Sequence, residues 1–393
     1  MLISFNWQTN YLFIPLAMAI MFDIRYIVTD SYKNKVQDDN VKLRTGIAIL
    51  NTMIMFLGQT TNGLLEFLRA NSKKKSKQIV SKYQYLWLFV AASLDLASFI
   101  FLNFIIGGNG SGSESGSESG SESRSESRSE SVGDLSLVLR MSQTLFIGLL
   151  MYPILKAKLY KHNILAISVI TFCLIIFIIA EGNKDNILNV FYYLFSYFLN
   201  SLRIVVMKIL MEKYFYSTYK ELLFIGIIGN VEILIGLLFE MIIHIKSSDG
   251  SYLYIIFGTI IPNIFSDFSS AAYFITMYLS GALFNTFGTL TNELLSSAHV
   301  GIGDTLAGLM FVFVKKVNVK AGFIILDIIL NIIILISCFV FTEIIILHFW
   351  NLKRDTTNAI ADRANEERAN SLIFINNLDK KNENEEEEEE EEE

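Results

Sequence analysis

Long apolar segments separated by short polar stretches make up most of the chain. A helix needs about 20 mostly apolar residues to cross a bilayer. We expect these segments to be helical, because lipid cannot satisfy a free backbone and a helix satisfies its own. Ten predicted spans lie near residues 11–28, 45–68, 85–106, 135–155, 163–180, 189–210, 221–244, 271–295, 298–314 and 321–346.

One further apolar stretch is too short to cross comfortably. Tyr252–Phe265 reads "YLYIIFGTIIPNIF" and contains Pro262, which interrupts a regular helix. We interpret it as an interfacial or re-entrant segment between the seventh and eighth spans.

Composition agrees with a polytopic membrane protein of all-α fold. The chain has 393 residues and is 52% hydrophobic, too apolar for a soluble protein of this size. Cys173 and Cys338 both fall inside predicted spans, and only four histidines are present. We therefore expect no disulfide framework, no metal site and no cofactor. The run Tyr11–Ile20 lacks a cleavage pattern, and we interpret it as the first span and not as a signal peptide.

Two low-complexity regions flank or interrupt the membrane part. We place a membrane domain at residues 1–350, with halves of about 11–181 and 189–346. The Gly/Ser/Glu-rich stretch 107–134 and the acidic tail 351–393, which supplies much of the net charge of −7, cannot bury apolar surface and are predicted to be disordered. Asn109 begins a glycosylation pattern, whose use stays open.

The basic loops predict the orientation. An even number of spans puts both termini on one side, together with the Lys-rich loops Arg69–Lys82 and Lys156–Lys161. The positive-inside rule makes that side cytosolic.

An internal repeat sets the expected architecture. Leu150–Lys161 ("LMYPILKAKLYK") aligns without gaps with Leu309–Lys320 ("LMFVFVKKVNVK"). These turns follow the fourth and ninth spans, so the repeating unit has five spans. An odd unit duplicated in tandem inserts in opposite orientations, and such inverted repeats are a feature of secondary transporters. A chance match is the alternative.

Polar and ionisable residues lie inside several spans, where they are costly and by default functional. Two interpretations are open: pairs that hold helices together, or groups that converge on a solute pathway. Arg140 would hold an anionic group or pair with Asp95, while Glu232 and Asp304 would accept a proton or bind a cationic solute. The candidate pathway residues are Gln59, Asp95, Arg140, Gln143, Asn200, Arg203, Glu232, Asn285 and Asp304.

The tetrapeptide Gly301–Asp304, "GIGD", favours a different class. Intramembrane aspartyl proteases place these four residues on a catalytic helix. Their chemistry needs a second Asp on the preceding helix and a later Pro-Ala-Leu element. The eighth span has no Asp, and no proline follows Asp304. We therefore disfavour a protease and expect no enzyme.

Several short motifs, in order, resemble the drug/metabolite transporter superfamily. They are "MFLGQ" (Met55–Gln59), "AASLD" (Ala91–Asp95), "LVLRMSQTLFIGLL" (Leu137–Leu150), "MEKYF" (Met211–Phe215), "VEILIG" (Val231–Gly236) and "FNTFGTLTNELLSS" (Phe284–Ser297). More narrowly, the chain resembles subfamily F of solute carrier family 35, with relatives of the chloroquine-resistance transporter second.

The resemblance implies a carrier, and the departures from it bear on the solute. Val300 and Ala307 stand where the family has arginines. Phosphorylated solutes of the superfamily are held by a basic pair near there, so we expect neither a nucleotide sugar nor a triose phosphate.

We therefore expect a monomeric or homodimeric carrier of a small organic solute in an endomembrane (Golgi, lysosome or vacuole), with cytosolic termini. Proton coupling stays open. Its partners are the solute and the lipid bilayer, and we expect no nucleic acid. A receptor or channel is the remaining alternative.

Overall fold

The long apolar segments form helices. The computed structural model describes residues 3–5, 10–35, 41–71, 82–108, 139–181, 187–214, 217–244, 251–315, 321–347 and 356. The long helices are α1 (Asn10–Lys35), α2 (Val41–Asn71), α3 (Lys82–Gly108), α4 (Ser142–Leu155), α5 (Lys161–Glu181), α6 (Ile187–Tyr214), α7 (Thr218–His244), α8 (Phe268–Leu294), α9 (Ser297–Lys315) and α10 (Ala321–Phe341).

Each predicted span coincides with one of these helices, but not every helix has the length and composition of a span. Among the described residues, five helices (α1, α3, α5, α6 and α7) are long and apolar enough to cross a membrane. The number is up to six if α8 and the short segment before it form one bent span. By length and composition, the chain is a multi-pass integral membrane protein.

The short segment before α8 is a separate helical piece, as the sequence predicted. Tyr252–Ser266 contains a π-helical turn at Ile255–Ile260 and is bent by 111° from α8. Asp267 ends it in an extended conformation and caps α8, accepting a hydrogen bond from the Ser269 amide at 3.3 Å. Its depth in the membrane stays a prediction.

Small residues allow the helices to approach closely, which is how membrane helices gain packing energy without a hydrophobic driving force. At the α2–α7 contact, a Cβ added to Gly63 would lie 2.5 Å from the Leu223 backbone nitrogen. At the α4–α9 contact, a Cβ added to Gly301 would lie 2.4 Å from Thr144 Oγ1. Both positions therefore exclude any larger residue in this packing.

A two-stranded ladder corrects the purely helical prediction. Strands β1 (Ile3–Phe5) and β2 (Ile345–Leu347) pair antiparallel, with Ser4 opposite Ile346. The tenth predicted span ran to residue 346, but α10 ends at Phe341, and Glu343 follows with a φ of 60°. The chain thus turns out of the helix before β2.

Some predictions concern residues that the structure does not describe. These are residues 109–134 of the low-complexity stretch with Asn109, the turn 316–320 of the repeat, most of the loop Arg69–Lys82, and the acidic tail apart from residue 356.

Candidate functional site

A small polar cavity lies where α1, α4, α6, α8 and α9 meet. Its volume is about 20 Å³, room for about one water molecule. Amide, hydroxyl and charged groups line it beside apolar ones. The lining residues are Met18, Gln143, Asn200, Arg203, Ile204, Met207, Phe284, Asn285, Gly288, Thr289, Asn292, Val300 and Asp304.

A buried ion pair holds the α9 side of the cavity. Arg140, in the turn just before α4, binds Asp304 through two nitrogens. Its Nε lies 3.0 Å from Asp304 Oδ1, and Nη2 donates to the same oxygen. The flat guanidinium also stacks on Phe22 of α1, with Cζ 3.4 Å from the ring centroid. Arg140 therefore joins α1, α4 and α9.

A second buried ion pair holds the α6 side. Arg203 Nε lies 3.3 Å from Asp95 Oδ1 on α3 and donates to Asn200 Oδ1 at 3.0 Å. Gln59 of α2 also hydrogen-bonds Asp95. The predicted pairing of Asp95 with Arg140 is thus wrong: α3 packs against α6, so the cation that reaches Asp95 comes from α6.

Amide side chains connect the helices around the cavity. Asn200 Nδ2 donates to Gln143 Oε1 at 3.1 Å, which links α6 to α4. Asn292 Nδ2 donates to the Ile204 carbonyl at 3.0 Å, which links α8 to α6. Asn285 donates within α8, to the Gly281 carbonyl at 3.0 Å. These amides present both donors and acceptors near the cavity.

The structure brings most of the predicted pathway residues together. Those that line the cavity are Gln143, Asn200, Arg203, Asn285 and Asp304. Arg140, Asp95 and Gln59 lie behind this lining and bind its charged members or each other. Glu232 lies apart: it accepts a hydrogen bond from Ser93 at 2.6 Å, at the contact of α7 with α3.

Sequence reasoning missed two charged residues of α1. Asp23 and Arg25 fall inside the first predicted span, 11–28, but were not among the candidate pathway residues, and both are buried in α1. Arg25 donates to Asn51 of α2 at 3.3 Å and lies over the Phe99 ring at 5.7 Å. The signal available was the apolar sequence on both sides of the two charges, which predicts that they lie within the span.

Ionisable residues near the α6–α7 and α8–α9 connections were also missed. Lys208 is buried and donates to the Asn292 carbonyl at 2.7 Å. Thr218, at the start of α7, donates to Glu293 near the end of α8. Glu221 is fully buried one turn later. These contacts tie α6 and α7 to α8 at one end of the cavity.

The environment of Asp304 does not resemble a paired-carboxylate catalytic site. Its Oδ1 accepts from Arg140, and α8, the preceding helix, contains no Asp. Among the described residues, no group of three or more His, Cys, Asp and Glu side chains could hold a metal ion.

No protein-family model matches this chain, and no curated protein matches it significantly. The functional argument therefore rests on the helices, the cavity and the buried charges.

Proposed function

We propose that the protein is a secondary carrier that moves a small organic solute across a membrane by alternating access, with no covalent chemistry. The observation that carries this proposal is a partly polar cavity among apolar helices, with charges from α3, α6, α9 and the turn before α4 around it. Buried charge at membrane depth is expensive and is retained mainly where a polar pathway needs it.

Ten spans in two inverted five-helix repeats form the proposed architecture, and the helix neighbours support it. The proposed repeat exchanges α1 with α6, α2 with α7, and so on to α5 with α10. Under this exchange, most pairs of contacting helices become other pairs that are also in contact. The contact α3–α6 maps onto α8–α1, and α4–α6 maps onto α9–α1. The contacts α2–α7, α4–α9 and α5–α10 map onto themselves. Such exchange is what a two-fold axis between repeats requires.

The β ladder supports an even number of spans. It joins the segment before α1 to the segment after α10. Two segments that pair in one ladder lie on the same side of the helices, so the chain crosses an even number of times. We propose that this side is cytosolic and that the carrier resides in an endomembrane.

The charges around the cavity bear on the class of solute. Arg203 lines the cavity and is bound to Asp95. Arg140 lies behind the lining and is bound to Asp304. Val300 lies in the lining and Ala307 is buried, so neither position supplies a cation. We propose a solute without a phosphate group, bound by amides and by one or both ion pairs.

This conformation has no room for an organic solute, because the cavity holds about one water molecule. Binding therefore needs the helices around it to separate on one side. Stacked aromatic and sulfur side chains, such as Phe284 and Met18, can slide more easily than a hydrogen-bonded contact. We propose that α1 and α8 move relative to α6 and α9 as the site opens.

The test is solute exchange by the full-length protein in liposomes. Proteoliposomes are loaded with a mixture of small metabolites, washed and incubated in buffer, and their contents are compared by mass spectrometry with protein-free liposomes. We expect one chemical class to be depleted. Asn285→Leu, which removes a cavity amide, should abolish that depletion.

Asn230→Leu is the matched control. Asn230 of α7 donates to the carbonyl four residues earlier at 3.0 Å, the same contact that Asn285 makes, but it is not in the cavity lining. It should leave the exchange unchanged. Equal loss in both variants, or no depletion by the wild-type protein, would contradict the carrier proposal.

A further inference from the structure

Asp23 of α1 has a buried carboxyl group. Its side chain is 5% exposed, and neither oxygen has a hydrogen-bond partner among the described residues. Arg140 is a positive charge that acts on it electrostatically. An ionised carboxylate buried in this way is costly, so the position calls for a neutralising group.

Arg140 acts electrostatically on the Asp23 carboxyl and binds Asp304 directly. Its guanidinium binds Asp304 through Oδ1 alone, and the second oxygen, Oδ2, is buried without a partner. The same guanidinium stacks on Phe22, the residue next to Asp23. The cation is thus already in contact with α1 while it is paired with α9.

The other ionisable groups around this site have different partners. Arg25 is two residues from Asp23, a spacing at which helical side chains do not face each other, and it donates to Asn51. Arg203 acts on Asp304 but is bound to Asp95.

The helices packed against α1 add few further charges. The only Asp, Glu, Lys, Arg or His in α8 is Glu293, near its C-terminal end and bound to Thr218. Besides Asp304, α9 carries His299, which contacts Ser296, and Lys315. Among the described residues, Arg140 is thus the cation that acts on both carboxyl groups, Asp23 and Asp304.

We propose that Asp23 is a proton-binding site of the carrier and that Arg140 exchanges between Asp304 and Asp23. With a proton on Asp23, Arg140 pairs with Asp304, the arrangement seen in this structure. When Asp23 releases that proton to the water phase, its carboxylate competes for Arg140. Asp304 then becomes available in the cavity lining to bind the solute. This inference rests on the proposed carrier function.

The close contact of α1 with α9 gives the exchange a mechanical consequence. A Cβ at Gly303, next to Asp304, would lie 3.0 Å from Met18 Sδ and 3.2 Å from the Pro15 carbonyl. When Arg140 exchanges Asp304 for Asp23, its ion pair with α9 breaks. A new ion pair forms with α1, next to Phe22, on which Arg140 already stacks. Proton binding is thereby linked to the packing of two helices that line the cavity.

The experiment is a proton-concentration jump on full-length protein in liposomes adsorbed to a solid-supported membrane, with no solute present. Wild-type protein should give a transient current as protons reach the buried site. Asp23→Asn should reduce the current to the level of protein-free liposomes. Asp267→Asn is the matched control, since Asp267 is an exposed helix cap and Asn also caps helices; it should keep the current.

Two further variants separate proton binding from misfolding. Asp23→Glu retains a carboxyl and should keep the current with a shifted midpoint. Asp304→Asn leaves Arg140 only Asp23 to pair with, so Asp23 stays ionised and the current should be lost although the Asp23 side chain is intact. Asp23→Asn should also unfold at no lower a temperature than wild type, because it replaces a buried carboxyl group that makes no hydrogen bond with an uncharged amide of similar size.

A full current in Asp23→Asn or in Asp304→Asn would overturn the inference, as would a wild-type protein without any current. The carrier proposal is tested separately, because the metabolite exchange assay needs no proton gradient. A protein that exchanges a solute but shows no proton current refutes only the role of Asp23.

Discussion

Two buried arginines, one in α1 and one in α6, have different partners. Arg203 of α6 faces α3, and Arg25 of α1 faces α8. Asp95 lies 13 residues after Lys82, the first residue of α3. Gly281 lies 13 residues after Phe268, the first residue of α8. Arg203 meets the carboxylate of Asp95, whereas Arg25 meets Gly281, whose added Cβ would lie 3.7 Å from Arg25 Cδ.

Helices α3 and α6 pack together, as do α1 and α8, but among the described residues only the first contact pairs its arginine with a carboxylate. On the α3 side the protein neutralises its own arginine, so that pair holds helices together. On the α8 side the arginine has no carboxylate within ion-pair distance among the described residues, and it is satisfied in part by Asn51. We therefore expect the α3 side to matter more for stability.

Asp95→Asn should destabilise the protein most. Removing one member of a buried ion pair leaves the other charge uncompensated, at a cost of about 3–5 kcal/mol. Arg203 would be that charge. The free energy of unfolding, measured by titration with SDS in mixed micelles, should fall by this amount.

The double variant Asp95→Asn/Arg203→Met is the control for this prediction. It removes both charges and should recover much of the loss, since an apolar replacement of a whole pair is often neutral. Equal losses in the single and double variants would show that the pair does not act as a unit.

A smaller effect is expected for Arg25→Met on the α8 side. The change removes a hydrogen bond to Asn51 and a contact with Phe99, together worth about 1–2 kcal/mol. Among the described residues, this change leaves no carboxylate without its ion-pair partner. Arg203→Met, which does strand Asp95, is the matched comparison in the same titration, and it should cost more. If Arg25→Met costs as much, the two sites are equivalent after all.

The helices could be predicted from sequence because apolar length is a local property. Every predicted span became a helix, and the segment around Pro262 became a separate piece. The β ladder could not be predicted, since it joins residues near opposite ends of the chain and each strand has only three residues.

The sequence predicted most of the residues around the cavity, but not which carboxylate pairs with which arginine. Spacing along α6 put Asn200 and Arg203 on one face, and both reach the cavity. Which carboxylate meets which arginine depends on helix neighbours, so Asp95 was assigned the wrong partner. Asp23 lies inside the first predicted span, but its burial depends on how α1 packs against the other helices, which the sequence does not give.

Gly281→Ala should change stability least, and it tests whether Arg25 requires glycine at this position of α8. The atoms nearest to a Cβ at Gly281 would be those of Arg25, at ordinary contact distance. Alanine is also a better helix former than glycine by up to about 1 kcal/mol. Gly281→Ala should therefore stabilise the protein slightly in the SDS titration. Gly58→Ala is the control, because its Cβ would lie 2.8 Å from the Cβ of Ala282 on the facing helix, and it should destabilise. A loss in Gly281→Ala as large as that in Gly58→Ala would mean that Arg25 needs the open space beside α8, and the two halves would then differ in room as well as in charge.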